Sequence, residues 1–343
     1  MLLTCDINNK TGKQSEKLYN ASDTQIKRWW RYIMTALTKD TARPGKFIRT
    51  FRKNWQLYVL ILLPLTYIII FKYGPMYGIQ IAFKDYSMKL GYWDSPFAGL
   101  KHFESFLLSP YFPRLMLNTI GISLYSISAG FFPPIILAIA LNECKNRFVK
   151  KGAQLVTYAP HFLSTVIVVG ILQQVLSQFG IVNSLIHALG FERITFLGKA
   201  GLFKSLYVWS GIWQNAGYNS IMYLAALAGI SSEIQEAAVV DGANIWQRIW
   251  HVDLPGILPT AVILLILSTA SVLNVGFEKV FLMQNPLNTR TSDVISTYTY
   301  RIGLIDLNYS FATAVGLFQS AISLLFMSAV NKIAGAVTET SLW

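Results

Sequence analysis

Apolar residues gather into six long runs, at about 57–81, 114–141, 153–176, 202–230, 258–277 and 309–331. Polar segments, often bearing glycine or proline, separate them. A helix of about 20 residues crosses the roughly 30 Å hydrocarbon core of a bilayer. The pattern therefore predicts an all-α polytopic membrane protein with six transmembrane helices in one domain, 55–335. Pro133 and Pro134 lie inside the second run, and Pro259 lies in the first turn of the fifth, where a missing N–H costs nothing. The first run meets Lys72, Gly74 and Pro75 in its second half, so it either ends near Phe71 or continues with a kink.

The polar stretch 231–257, between runs four and five, has a pattern of its own. Ser232 and Gln235 have capping-box spacing, which predicts a helix beginning at Glu233, and Gly242 is its expected stop. From Ala243 to Trp250 helical spacing returns, with Ile245/Ile249 and Trp246/Trp250 as i,i+4 pairs. Leu254-Pro255 is the expected end of that second helix, because a residue before proline is pushed out of the helical region. An amphipathic loop of this kind is a candidate docking surface for a partner protein.

Run four is too polar to face lipid on all sides. Asn215, Asn219 and Tyr223 share one stripe, with Gln214 and Tyr218 on the next. Polar side chains within a bilayer turn toward protein or a water-filled cavity. Amides that bond hydroxyls, together with aromatic planes that stack on ring C–H faces, suit a sugar. Gln173 on run three, with Gln174 and Gln178, Asn274 on run five and Gln319 on run six are further candidates for the same path. Interhelical hydrogen bonding is the competing use of these amides. Trp209 and Trp213 are read as packing or interface residues. Glu278 and Lys279 are read as a solvated charge pair at the outer end of run five.

Composition agrees with a membrane protein: 343 residues, 53% hydrophobic and 13% charged, with mean hydropathy +0.42, against about 25% charged in soluble domains. The formal net charge is +12. Much of it sits in a basic N-terminal arm, 1–54, where twelve Lys and Arg face four acidic residues. Because the arm abuts an apolar run, anionic lipid explains its charge better than nucleic acid does, and it places the N-terminus inside. Ile26, Trp29, Trp30, Ile33 and Leu37 predict an interfacial helix over 25–38. The basic loop Lys145, Arg147, Lys150, Lys151 and the tail, 336–343, are also expected inside, as are the reduced thiols of Cys5 and Cys144. His102, His161, His187 and His251 are scattered, so no metal site is expected. Gly198-Lys199-Ala200 lacks both the upstream glycine and the hydroxyl of a phosphate-binding loop, and neither HExxH nor GxSxG occurs. The chain is not expected to be an enzyme or to carry a cofactor.

Glu236-Ala237-Ala238, Asp241-Gly242-Ala243, Val252, Leu254-Pro255 and Pro259 together resemble the signature loop (the EAA motif) of permease subunits in binding-protein-dependent ABC importers. The basic arm and the stretch from Gly74 to Tyr86 resemble the carbohydrate-uptake, maltose and multiple-sugar type, in particular the Gram-positive permeases for oligosaccharides derived from polysaccharides. The resemblance implies a type I importer permease fold, with continuation of the first run through Pro75. It also implies coupling helices, in the loop between spans four and five, that insert into a cytoplasmic ATPase subunit. Its implied partners are a second permease subunit, two such ATPases carrying ATP and Mg, an extracellular lipoprotein that binds the sugar, and membrane lipid. The implied location is the bacterial plasma membrane, multi-pass, with both termini cytoplasmic. The alternatives are an ion-coupled secondary transporter, which ordinarily carries ionisable residues in mid-span, and a membrane-embedded enzyme acting on a glycan lipid, which needs convergent carboxylates or histidines.

Overall fold

A computed structural model of the chain describes residues 53–269 and 272–338. The expected interfacial helix, nearly all of the basic arm and the last residues of the tail lie outside that set. The chain divides into two compact units, one up to Met76 and one from Tyr77.

In the first unit, helix Trp55–Ile68 runs into a π-turn, Ile69–Tyr73, and then Gly74–Met76. The Gly74 N–H reaches back to Ile69 O. This wider turn sits just before Pro75, whose ring would otherwise strike the carbonyl four residues back. The proline is absorbed by a π-turn rather than a break.

The second unit opens with a 3₁₀ segment, Tyr77–Phe83, and a short helix, Lys101–Leu107. Helix Phe112–Glu143 follows and runs unbroken through Pro133 and Pro134. It packs along most of the length of helix Phe203–Ala228, and this pair forms the backbone of the unit. One buried apolar cluster, Ile122, Val169, Phe203, Val275, Val280, Met283 and Val294, closes one end of the pair. Another, Ile135, Ala138, Tyr223, Leu227, Ile257 and Ala261, closes the other. A third, around Phe106, Leu115, Ile295 and Phe311, fastens the short helices to the last long helix, Tyr309–Thr338.

Among the described residues, four helical runs are long and apolar enough to cross a membrane: Trp55–Phe83, Phe112–Glu143, Ile245–Thr269 and Tyr309–Ala336. A fifth appears if a bent pair is counted as one. Helix Phe203–Ala228 has the length but is too polar to qualify.

That bent pair corrects the expected third run. In place of one helix over 153–176 there are Arg147–Tyr158, a 3₁₀ turn Ala159–Phe162, and Thr165–Val175, with a 102° bend. Pro160 removes a helical donor there, and Ser164 caps the new helix by accepting from the Ile167 N–H. The fifth run is corrected at both ends. The second helix of the 231–257 stretch, expected to end at Leu254, instead passes from Ile245–Arg248 through a second π-turn, Ile249–Asp253, into Leu254–Thr269, so the run has no separate start near 258. The Leu254 N–H bonds Ile249 O, which is the device seen ahead of Pro75. Asn274, expected on that helix, lies beyond it in the non-helical stretch before helix Phe277–Met283.

Candidate functional site

Two regions carry the candidate residues: an exposed elbow at 231–257 and a cavity between the long helices.

The elbow's first helix is Ser232–Val240. Its N-cap is Ser231, one residue earlier than expected, with Oγ accepting from the Glu233 N–H. The expected capping box of Ser232 and Gln235 does not form, because Gln235 Nε2 donates to Asp253 Oδ1 at 2.6 Å. The capping box belongs instead to the second helix, where Asn244 and Gln247 bond each other's backbone N–H. Gly242 makes the turn between the helices with φ +77°, a conformation in which glycine bears no Cβ penalty.

Glu236, Ala237, Asp241 and Gly242 are exposed, while Ala238 and Ala243 are half-buried. Val239, Val240, Trp246 and Trp250 are exposed too, Val240 by 85%. Two ties hold this surface. Gln235 to Asp253 clamps the first helix against the second, and Arg248 Nη2 pairs with Glu143 Oε2 at 2.8 Å, at the end of helix Phe112–Glu143. Asp253 itself is buried. Leu254, Pro255 and Pro259 carry the chain from the elbow into the helix that lines the cavity.

The cavity measures about 550 Å³. It lies between the two end clusters, against helices Phe112–Glu143, Phe203–Ala228 and Leu254–Thr269 and the segment 274–279. Five of the eight path candidates line it: Gln214, Asn215, Asn219, Tyr223 and Asn274. The other three do not. Tyr218 stacks on His161 with ring centroids 3.9 Å apart, Gln173 donates to Leu282 O, and Gln319 donates to Leu273 O.

The five differ in how much of their polar capacity is free. Gln214 Nε2 donates to Leu163 O at 3.1 Å, and Asn215 Nδ2 donates to Gly211 O. Asn215 Oδ1 is therefore an acceptor, and His161 Nδ1 donates to it at 3.0 Å, which puts the imidazole proton on Nδ1. These two amides hold the bend of the broken third run against helix Phe203–Ala228. Asn219 and Asn274 are exposed to the cavity and have no hydrogen-bond partner among the described residues. Tyr223 is buried in the cluster with Ile135, Ala138 and Leu227 and also lines the cavity.

Lys279 was missed. Far from being a solvated partner of Glu278, it is 9% exposed, lines the cavity, and donates from Nζ to Tyr207 O at 3.1 Å. Burial pushes its pKa down to about 8. No pattern within the chain signalled this, because the fold of 272–283 over helix Phe203–Ala228 is what buries it.

An amide-lined cavity between membrane-crossing helices, joined by a continuous helix to an exposed elbow, defines a multi-pass transport subunit. The chain belongs to the family of binding-protein-dependent transport system inner membrane components, whose pattern matches residues 130–338. It is 43% identical over 284 residues to protein LplB of Bacillus subtilis, covering 82% of this chain and 89% of that protein. It is 39% identical over 312 residues to the polygalacturonan/rhamnogalacturonan transport system permease protein YteP of Bacillus subtilis, covering 91% of this chain and 97% of that one. Among solved structures, a bacterial alginate ABC transporter in complex with an alginate pentasaccharide-bound periplasmic protein contains a chain of TM-score 0.78 and 38% identity, with 86% of this chain and 99% of that chain covered. The protein is thus the permease component of an ABC importer, a transport subunit rather than an enzyme.

Proposed function

We propose that the chain is one of two permease subunits that together line the path of an oligosaccharide into a Gram-positive cell. An extracellular binding protein hands over the cargo, and two cytoplasmic ATPase subunits, carrying ATP and Mg, grip the elbow. In this reading there are six crossings, the polar helix Phe203–Ala228 and the bent third run included, and both termini face the cytoplasm.

The observation that carries the reading is the mechanical continuity of elbow and cavity. The same helix that begins at Ile245 delivers Leu264, Leu265 and Ser268 to the cavity wall. The Arg248–Glu143 pair ties the elbow to helix Phe112–Glu143, which supplies a further wall from Ile122 to Pro134. A displacement of the elbow by an ATPase therefore reaches two walls of the cavity at once, as alternating access requires. The unpartnered side chains Val239, Val240, Trp246 and Trp250 give the ATPase an apolar surface to grip, with Glu236 and Asp241 beside them.

The test is made on the whole transporter in native vesicles. A photo-crosslinker on Ala237→Cys is expected to capture a polypeptide that binds ATP. Gly242→Val is expected to stop stimulation of ATP hydrolysis by loaded binding protein while the complex still assembles. Space around Gly242 is open, so the effect must come through the positive φ, which costs a non-glycine residue about 1–2 kcal/mol. Full stimulation in the valine variant, with no ATP-binding protein captured, would remove the elbow from the mechanism.

A further inference from the structure

Among the described residues that line the cavity, Lys279 alone carries a charge. A buried ammonium is costly unless something answers it. Here the answer is partial. Nζ donates one of its three N–H bonds to Tyr207 O at 3.1 Å and stands 5.0 Å from the centre of the Tyr207 ring. No carboxylate among the described residues forms an ion pair with it, and the adjacent Glu278 is exposed. Room for the ammonium comes from Gly211, where a Cβ would stand 3.3 Å from Nζ. The rest of the lining is neutral: amides of Asn219 and Asn274 without partners among the described residues, hydroxyls of Ser123 and Ser126, and the ring of Phe131. The cavity's 550 Å³ lies inside the range of about 300–1,000 Å³ that holds small ligands.

We propose that the cargo this cavity accepts is an acidic oligosaccharide, one of whose carboxylates pairs with Lys279 while Asn219 and Asn274 bond its hydroxyls. The proposal rests on the oligosaccharide-import reading and adds the chemical class of the sugar and the residue that selects it. A carboxylate completes the ammonium's coordination. A neutral sugar of the same shape leaves it desolvated and unanswered, and that asymmetry makes a buried charge a selector rather than a general binder.

The experiment uses the complete transporter in proteoliposomes, with its partner permease, ATPases and binding protein. The probes are labelled trimers of galacturonate, mannuronate and guluronate, each beside its carboxyl-reduced neutral counterpart. Wild type is expected to take up at least one acidic trimer. Lys279→Gln should lower kcat/KM for that trimer at least tenfold, Lys279→Arg should stay within about threefold, and uptake of any neutral counterpart should not fall. The unfolding midpoint of the Lys279→Gln complex should equal or exceed that of wild type, whereas a merely structural lysine would lower it. An equal loss for acidic and neutral trimers, no loss at all, or a lowered midpoint with the charge preference intact would overturn the role of Lys279. Uptake of neutral trimers alone by wild type would overturn the acidic cargo and leave oligosaccharide import standing. ATP-driven uptake of neither kind would count against the import reading itself.

Discussion

Asn215 and Asn219 sit one helical turn apart, and the chain uses them for different tasks. Asn215 is engaged through both amide atoms, accepting from His161 and donating to Gly211 O, so its removal strands a histidine N–H beside the bend of the third run. Asn219 faces the cavity with no partner among the described residues. Asn215→Leu is therefore expected to destabilise the assembled transporter by about 1 kcal/mol, the net worth of a typical hydrogen bond, here between half-buried groups. Asn219→Leu should leave the unfolding midpoint within about a degree and reduce cargo uptake. Thermal unfolding and uptake measured on the same preparations separate the two, and a reversed pattern would show the assignments to be exchanged. The i,i+4 stripe of polar residues was legible in the sequence. Which amide is structural was not, because that depends on His161 and Leu163, more than fifty positions away.

At the scale of elements, proline and glycine act through what packs on them. Pro75 and Pro255 each follow a π-turn at the same offset, and Gly74 and Leu254 before them stay helical. A rule that the residue before proline leaves the helix fails here because one extra residue in the preceding turn moves the clashing carbonyl aside. Gly217 works by close approach. A Cβ there would collide with the backbone carbonyl of Thr157 on helix Arg147–Tyr158, and backbone cannot step aside as a side-chain tip can. Gly217→Val should force these helices apart and cost more than the roughly 1–3 kcal/mol typical of overpacking. Loss of assembled complex in membranes is the expected readout, and a Gly217→Val complex of normal abundance would contradict the close contact.

At the scale of the second unit, the Arg248–Glu143 pair decides whether the elbow moves one helix or two. The two side chains are 20% and 17% exposed, enough burial for the pair to outweigh an ordinary surface contact of about 0–1 kcal/mol. A double-mutant cycle with Arg248→Ala and Glu143→Ala should give a coupling of about 1–2 kcal/mol in stability. Each single variant should also weaken stimulation of ATP hydrolysis by loaded binding protein. Additive effects, with stimulation intact, would mean that the elbow drives its own helix alone.

What the sequence by itself determined is the membrane class, most of the helical runs and the elbow with its glycine joint, since periodicity, apolarity and turn chemistry are local properties. It also supplied a polar stripe worth suspecting. The tertiary structure decided the rest: the bend in the third run, the capture of Gln235 by Asp253, the place of Asn274 beyond its helix, and the burial of Lys279. The bend has local agents in Pro160 and Ser164 but is held in place by Asn215 and Gln214, and the capture of Gln235 and the burial of Lys279 also need partners elsewhere in the chain; no pattern of neighbours encodes which distant side chain will arrive, or how much water it will exclude.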